Sequence, residues 1–506
     1  MASGASTLRQ DAFLGKSYMK KNSPIQFEGY TELKKKTVHG LSLLVVREFF
    51  LKAIAVAGQI VLARILAPDI FGVFAILSFL VGLAELFTDI GLSQAIIQSH
   101  TQMDRETLSS IFFVKQVLSL LAVALLFVLC FFMSHLYPSL MPEHLLMLKI
   151  MALTLLAKPL RTILISLLER ELRYVAIPTV DIAGMVVYYL VALSFVLAGF
   201  SLWGLVIAIL VKEVVELAVL LYFQRWLPQI QFTFSKVRSF IHFGAYLQLA
   251  TFVGVIHNSM IPLIAGTQLT PAAVGFLDWG DKIVSIPRAV TDNIGRISFS
   301  SFSRIQNNTE LLSRACEKTL SLTSIMTLYL VTIILPFGWE LVHFVLTDKW
   351  LPAVPPLYWF IGSVVFIGGV SILQQGIIAL GKTKEILAIS TTIILLQVLT
   401  AFFLARHVGM IGIAISTFFG FALLFFAYVW FGDHIGIHVR IGKMFFGKCA
   451  IACLSLLLAV WLNSVFQMSL VTLMFKISIV SVVYALFIYL YEQEDVRIIF
   501  SLLSNS

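Results

Sequence analysis

Seven polar residues, Asp278, Asp281, Lys282, Ser285, Arg288, Asp292 and Arg296, recur at short helical steps in an otherwise apolar part of the sequence. Steps of three and four place them on one face of a helix. An ionisable side chain in hydrocarbon costs at least about 2.5 kcal/mol, so such a face turns to a water-filled path or to a protein partner. The chemistry on offer is binding. A guanidinium donates two parallel hydrogen bonds to a phosphate, and a carboxylate in the same setting can take a proton or a sodium ion. Asp278 with Lys282, Arg288 with Asp292, and Asp292 with Arg296 are each four apart and can also neutralise one another within the helix. Pro287 removes a backbone hydrogen bond midway along the stripe, which predicts a bend there.

Other ionisable residues fall within apolar stretches. Lys52, Lys158, Arg161 and Lys212 join Lys282, Arg288 and Arg296 as candidate substrate-binding cations, and for each a local ion pair is the competing use. Asp89, Asp181, Glu213 and Glu216 join Asp278, Asp281 and Asp292 as candidate ion-coupling or lumen acids, with an ion pair to Lys212 an equal alternative for the two glutamates. No metal-ligand spacing or nucleophile constellation is found, so neither a metal site nor a cofactor is expected. Gly376 to Thr383 (GIIALGKT) matches the nucleotide phosphate loop, but that loop must leave a strand and open a helix. Here the first glycine and four apolar residues end a membrane span, so ATP binding is not expected. Asn307-Asn308-Thr309 is a formal glycosylation sequon in a connection expected to be cytoplasmic.

These residues must be positioned by membrane helices. Hydrophobic types make up 59% of the 506 residues and charged types 12%, whereas a soluble protein carries about 25% charged residues. Apolar stretches of the length needed to cross about 30 Å of hydrocarbon recur fourteen times after a polar, basic segment over residues 1–37 that has no signal-peptide core. Of the 24 Lys and Arg assigned to the tail and connections, 22 fall at the tail, at every second connection and at the C-terminal end. That alternation follows the positive-inside rule and predicts fourteen spans with both ends cytoplasmic. The net charge of +9 is thus spent on topology, and nucleic acid is not an expected partner. The exported-side connections are short, which counts against a membrane glycosyltransferase or ligase with an external catalytic loop and favours transport.

An internal repeat gives the architecture. LAPDIFG from Leu66 aligns with LTPAAVG from Leu269 at an offset of 203, and the same offset carries Val81 onto Val284, Thr88 onto Thr291 and Asp89 onto Asp292. Six helices separate the copies, so they keep one orientation, and a pseudo-twofold axis along the membrane normal is implied, with the substrate path between two lobes. The expected fold is an all-α polytopic membrane protein: a cytoplasmic tail over 1–37, an N-lobe of six helices over 38–228, a C-lobe of six over 229–435, and two C-terminal helices with a cytoplasmic end over 436–506.

Four segments carry a family resemblance. FGVFAILSFLVGLAELFTDIGLSQAIIQ from Phe71, VGFLDWGDKIVSIPRAVTDNIGRISFSSFSRIQ from Val274, DKWLPAVPPL from Asp348 and QQGIIALGKTKE from Gln374 resemble Wzx-type polysaccharide exporters, or O-antigen flippases, particularly the colanic-acid exporter branch. The resemblance implies the multidrug/oligosaccharidyl-lipid/polysaccharide exporter superfamily and alternating access in the bacterial inner membrane. Its implied substrate is an undecaprenyl-diphosphate-linked oligosaccharide, flipped from the cytoplasmic to the periplasmic leaflet. The bilayer and the polysaccharide polymerase and chain-length machinery are the further partners expected with it. A lipid II flippase or a cation antiporter of the same architecture is the nearest alternative, and an antiporter would call for a strongly anionic lumen.

Overall fold

A computed structural model describes residues 50–93, 96, 104–171, 173, 176–233, 237, 255 and 259–491. The polar tail and most of the expected seventh span, 242–265, lie outside the described residues. Within them every regular element is helical. The N-lobe contains α1 (50–65), α2 (Pro68–Glu85), α3 (Arg105–Leu136), α4 (Pro142–Ala152), α5 (Lys158–Arg170), α6 (Ala176–Leu197) and α7 (Ser201–Phe223). A 3-10 turn, Leu153–Leu156, joins α4 to α5, and the two form one span. The C-lobe contains the end of the seventh span up to Gln268, then α8 (Pro271–Arg304), α9 (Thr309–Leu341), α10 (Val354–Ala379), α11 (Thr383–Val408) and α12 (Met410–His434). The hairpin of α13 (Ile441–Val465) and α14 (Leu470–Tyr491) follows.

Local sequence sets the boundaries. Prolines at the first turn start α2 and α8, where the missing N–H would have no partner anyway. The side chains of Asp104, Thr270 and Asn308 accept backbone N–H bonds and cap α3, α8 and α9. The sequon residue Asn308 is therefore a helix cap. Gly409, at φ 69°, lets α11 turn directly into α12.

Ten described segments are long and apolar enough to cross a membrane. The helices α7 and α8 are not among them, because every 18-residue window of either carries at least three charges. Those charges must face protein or water rather than lipid. Helix α8 is packed against α2 and α10, and α7 against α6 and α5.

The repeat is visible as a contact. A Cβ on Gly72 would overlap the carbonyl oxygen of Pro271, and one on Gly275 would overlap that of Pro68. Repeat-equivalent residues thus meet reciprocally where α2 and α8 cross, as a two-fold axis between the lobes requires. Val81 and Val284, and Thr88 and Thr291, are equivalent and all buried.

The α13–α14 hairpin lies against α9 and is fixed by two fully buried lysines. Lys476 of α14 reaches Glu340 of α9 at 2.7 Å and Asn463 of α13 at 3.0 Å, while Asn463 donates to the Pro336 carbonyl. Lys448, which the charge pattern assigns to a connection, instead lies inside α13 and donates to the carbonyl and hydroxyl of Ser321. Removing one partner of a buried pair leaves the other charge uncompensated. Lys476→Ala should therefore cost about 3 kcal/mol or more, and Lys476→Leu with Glu340→Leu should recover most of it. Thermal unfolding in detergent measures both, and equal melting of Lys476→Ala and the parent would remove the pair from the account of stability.

The phosphate-loop look-alike also resolves into packing. Gly376 sits in α10, where a Cβ would press on the sulfur of Cys316 in α9, and among the described residues no strand precedes it.

Candidate functional site

Helix α8 divides its polar residues between two neighbourhoods. Asp278 and Lys282 form the expected pair one turn apart, at 2.6 Å. Arg288 does not pair with Asp292. It reaches back to Asp281 at 3.3 Å and lies over the ring of Phe421 in α12, 5.6 Å from its centre. Seven residues advance a helix by about 10.5 Å and nearly two whole turns, so the two side chains share one face and a long guanidinium can bridge them. Arg288 and Asp281 line a small recess with Gln397, Thr417, Phe360 and Phe421. Asp292 is half-buried and Arg296 exposed, and among the described residues neither forms an ion pair.

On its other side α8 borders an apolar cavity of about 220 Å³ at the seam between the lobes. Val56, Gln59 and Ile60 of α1 face Trp279 and Lys282 of α8 across it, and Ile334 of α9 contributes to the wall. Lys282 is thus a cation at the rim of an oily space. Lys52 lies one turn or more away along α1, half-buried and without an ion pair among the described residues.

The seam is fastened at one end. Trp350, in the 3-10 turn Asp348–Ala353, is fully buried and donates its indole N–H to the carbonyl of Ala63 at 2.8 Å. Its ring packs on Phe71, Phe276 and Trp279. Arg64 donates to the carbonyls of Phe344 and Val345, and Lys349 donates to the carbonyl of Arg64. These four links join the end of α1 to the α9–α10 connection beside the Gly72–Gly275 contact. The charge pattern assigns this base-poor end to the exterior.

The remaining candidates gather inside the N-lobe. Lys158 of α5 lies 3.2 Å from both Glu85 of α2 and Glu213 of α7. Arg161, one turn on, meets Glu216 at 2.9 Å and Asp181 of α6 at 3.9 Å, and Lys212 approaches Glu216 at 3.7 Å. Candidate cations and candidate acids are therefore one interlocked cluster of three bases and four carboxylates drawn from four helices. Each charge of the cluster has an opposite partner within 4 Å, so removing Lys158, for one, would leave the buried Glu213 without its ion-pair partner.

Asp89 does not join it. It accepts from the backbone N–H of Leu92 and pairs at 2.9 Å with Lys115, a fully buried lysine of α3 that also donates to Ser93 and Thr162. Among the described residues no group of three or more His, Cys, Asp or Glu could hold a metal ion.

Sequence reasoning missed the fastening of the seam. Trp350 and Lys349 lie in a segment quoted only for its resemblance, and the bonds of Trp350 and Arg64 go to backbone carbonyls, which leave no mark on side-chain types. It also missed Gln397, Thr400, Ser416 and Thr417, which cluster between α11 and α12. Thr400 and Ser416 share a hydrogen bond at 3.0 Å, and Ser416 donates to the Gln397 carbonyl.

Two helical lobes related by a reciprocal contact, with ionisable groups held in their interiors, define a multi-pass membrane protein. The profile of the family described as polysaccharide biosynthesis protein matches residues 61–355, and the chain belongs to that family. It is 22% identical to the lipopolysaccharide biosynthesis protein WzxC of Escherichia coli (strain K12), over 64% of this chain and 66% of that protein. It is 24% identical to the succinoglycan biosynthesis transport protein ExoT of Rhizobium meliloti (strain 1021), over 53% of each. Less than two thirds of either relative is spanned. Among solved structures, the lipid II flippase MurJ in an inward closed conformation superposes with a TM-score of 0.76 at 14% identity, covering 89% of this chain and 99% of that one. An inward-facing multidrug resistance transporter of the MATE family superposes at 0.62. These likenesses establish the fold.

Proposed function

We propose that the protein flips an undecaprenyl-diphosphate-linked oligosaccharide between the leaflets of the bacterial inner membrane by alternating access. The observation that carries this reading is the pairing of Lys282 with the apolar seam cavity of α1, α8 and α9, with Arg288 further along the same helix. A charged head and a long hydrocarbon tail need that combination, whereas a small hydrophilic solute has no use for the oily half. Membership of the polysaccharide biosynthesis family supports it, as do relatives named for lipopolysaccharide and succinoglycan. In this reading Lys282 and Arg288 meet the diphosphate, with Lys52 and Arg296 available nearby. Asp181, Glu213 and Glu216, clustered with Lys158, Arg161 and Lys212, exchange a coupling proton or sodium ion. Both termini face the cytoplasm, and the product passes to the polymerase and chain-length machinery.

The test is reconstitution. Proteoliposomes holding a fluorescent undecaprenyl-diphosphate oligosaccharide should expose it to an impermeant quencher faster than empty liposomes do, and Lys282→Glu should slow this by roughly tenfold or more, since a like charge then faces the phosphate. Transport of a small organic cation with no movement of the lipid would overturn the proposal in favour of an antiporter.

A further inference from the structure

We infer that the N-lobe carries a saccharide-binding site at its base-poor end, distinct from the seam. A second cavity, of about 350 Å³, opens there between the start of α2, the α3–α4 connection and the α6–α7 turn. Asp69, Ser139, Glu143, His144, Ser201 and Trp203 supply its polar and aromatic lining, and Pro271 of α8 closes one side at the junction of the lobes. The indole N–H of Trp203 donates to Glu143 at 2.8 Å, which fixes the ring and engages one carboxylate oxygen. His144 accepts the backbone N–H of Met141 on its Nδ1, so in the neutral ring the proton is on Nε2, where it serves as a donor. The hydroxyl of Ser139 is buried and has no hydrogen-bond partner among the described residues.

An aromatic ring held by a carboxylate, beside a second carboxylate, a ring donor and two hydroxyls, suits a hydroxyl-rich ring with one apolar face. Such pockets orient their ligand by a few polar groups set in an apolar wall. The charge selects further. Asp69 and Glu143 repel anions, so a phosphate or a uronic acid is disfavoured here, in contrast to the seam with Lys282. The ligand class is a neutral or amino sugar. This rests on the flippase reading for its purpose: a glycan leaving the seam at this end would be received by the mouth while the diphosphate is repelled from it.

The test uses the purified full chain and soluble probes that carry neither lipid nor phosphate: lactose, N,N′-diacetylchitobiose and a uronic-acid disaccharide. Saturation-transfer NMR should show binding of at least one neutral disaccharide and a weaker signal for the uronate. Trp203→Ala should weaken the neutral ligand by roughly tenfold or more, as removal of a central aromatic anchor does. Glu143→Gln with Asp69→Asn should narrow the gap between neutral and uronate probes. The export-defective Lys282→Glu should bind the disaccharides normally, so loss of flipping and loss of this site are read separately. No binding by the parent protein, or binding unchanged in Trp203→Ala with the melting temperature preserved, would overturn the site.

Discussion

On the proposed flippase reading, Arg288→Ala should lower glycan export by roughly 30-fold or more while the protein still inserts, because truncating one partner of a desolvated charge pair costs about 2 kcal/mol or more. Arg288→Lys keeps the charge, loses the fork and should fall between. The structure names the partner for a double-mutant test: Asp281, at 3.3 Å, rather than Asp292. If Arg288 only neutralises Asp281, Arg288→Ala with Asp281→Ala should restore much of the export, since both charges leave together. If Arg288 exchanges Asp281 for the substrate phosphate, the double variant stays inactive. Normal export by well-inserted Arg288→Ala would remove the residue from the substrate path.

Opening the fastened end of the seam should be the other large effect. Trp350 is fully buried, bonds to Ala63 and packs on three aromatic rings. Its replacement by Ala should cost the closed state about 3 to 5 kcal/mol, enough to move a two-state equilibrium by a factor of roughly a hundred or more. Ile283 lines the seam cavity. In a background lacking the four native cysteines, Ile283→Cys should be protected from an impermeant thiol reagent added at the base-poor side, and Trp350→Ala should expose it. Equal labelling in the two backgrounds would show that Trp350 does not hold this end shut.

The sequence made the membrane architecture legible because topology is written in side-chain types. Apolar length marks spans, and the offset of 203 marked the two halves whose glycines meet in the structure. The stripe on α8 was equally plain, since its residues share one helix. Partners were harder. Asp281 and Arg288 are seven apart, beyond the three- and four-residue neighbours that intrahelical rules consider. The N-lobe cluster unites α2, α5, α6 and α7, and only the packing decides that Lys158 and Arg161 face Glu85, Glu213, Glu216 and Asp181 rather than the seam. The alternation of basic residues counts Lys448 with Arg440 and Lys443 in a connection. The burial of Lys448 against Ser321 depends on a helix that the one-dimensional pattern could not bring near.

The crossing of α2 and α8 constrains how the lobes can part. Gly72 nests on Pro271 and Gly275 on Pro68, and symmetry makes these one contact written twice. Each contact sets a glycine Cα directly on a carbonyl, so a side chain at either glycine would wedge the two helices apart. The crossing thus holds α2 and α8 backbone to backbone, and any parting of the lobes at this end has to undo both contacts.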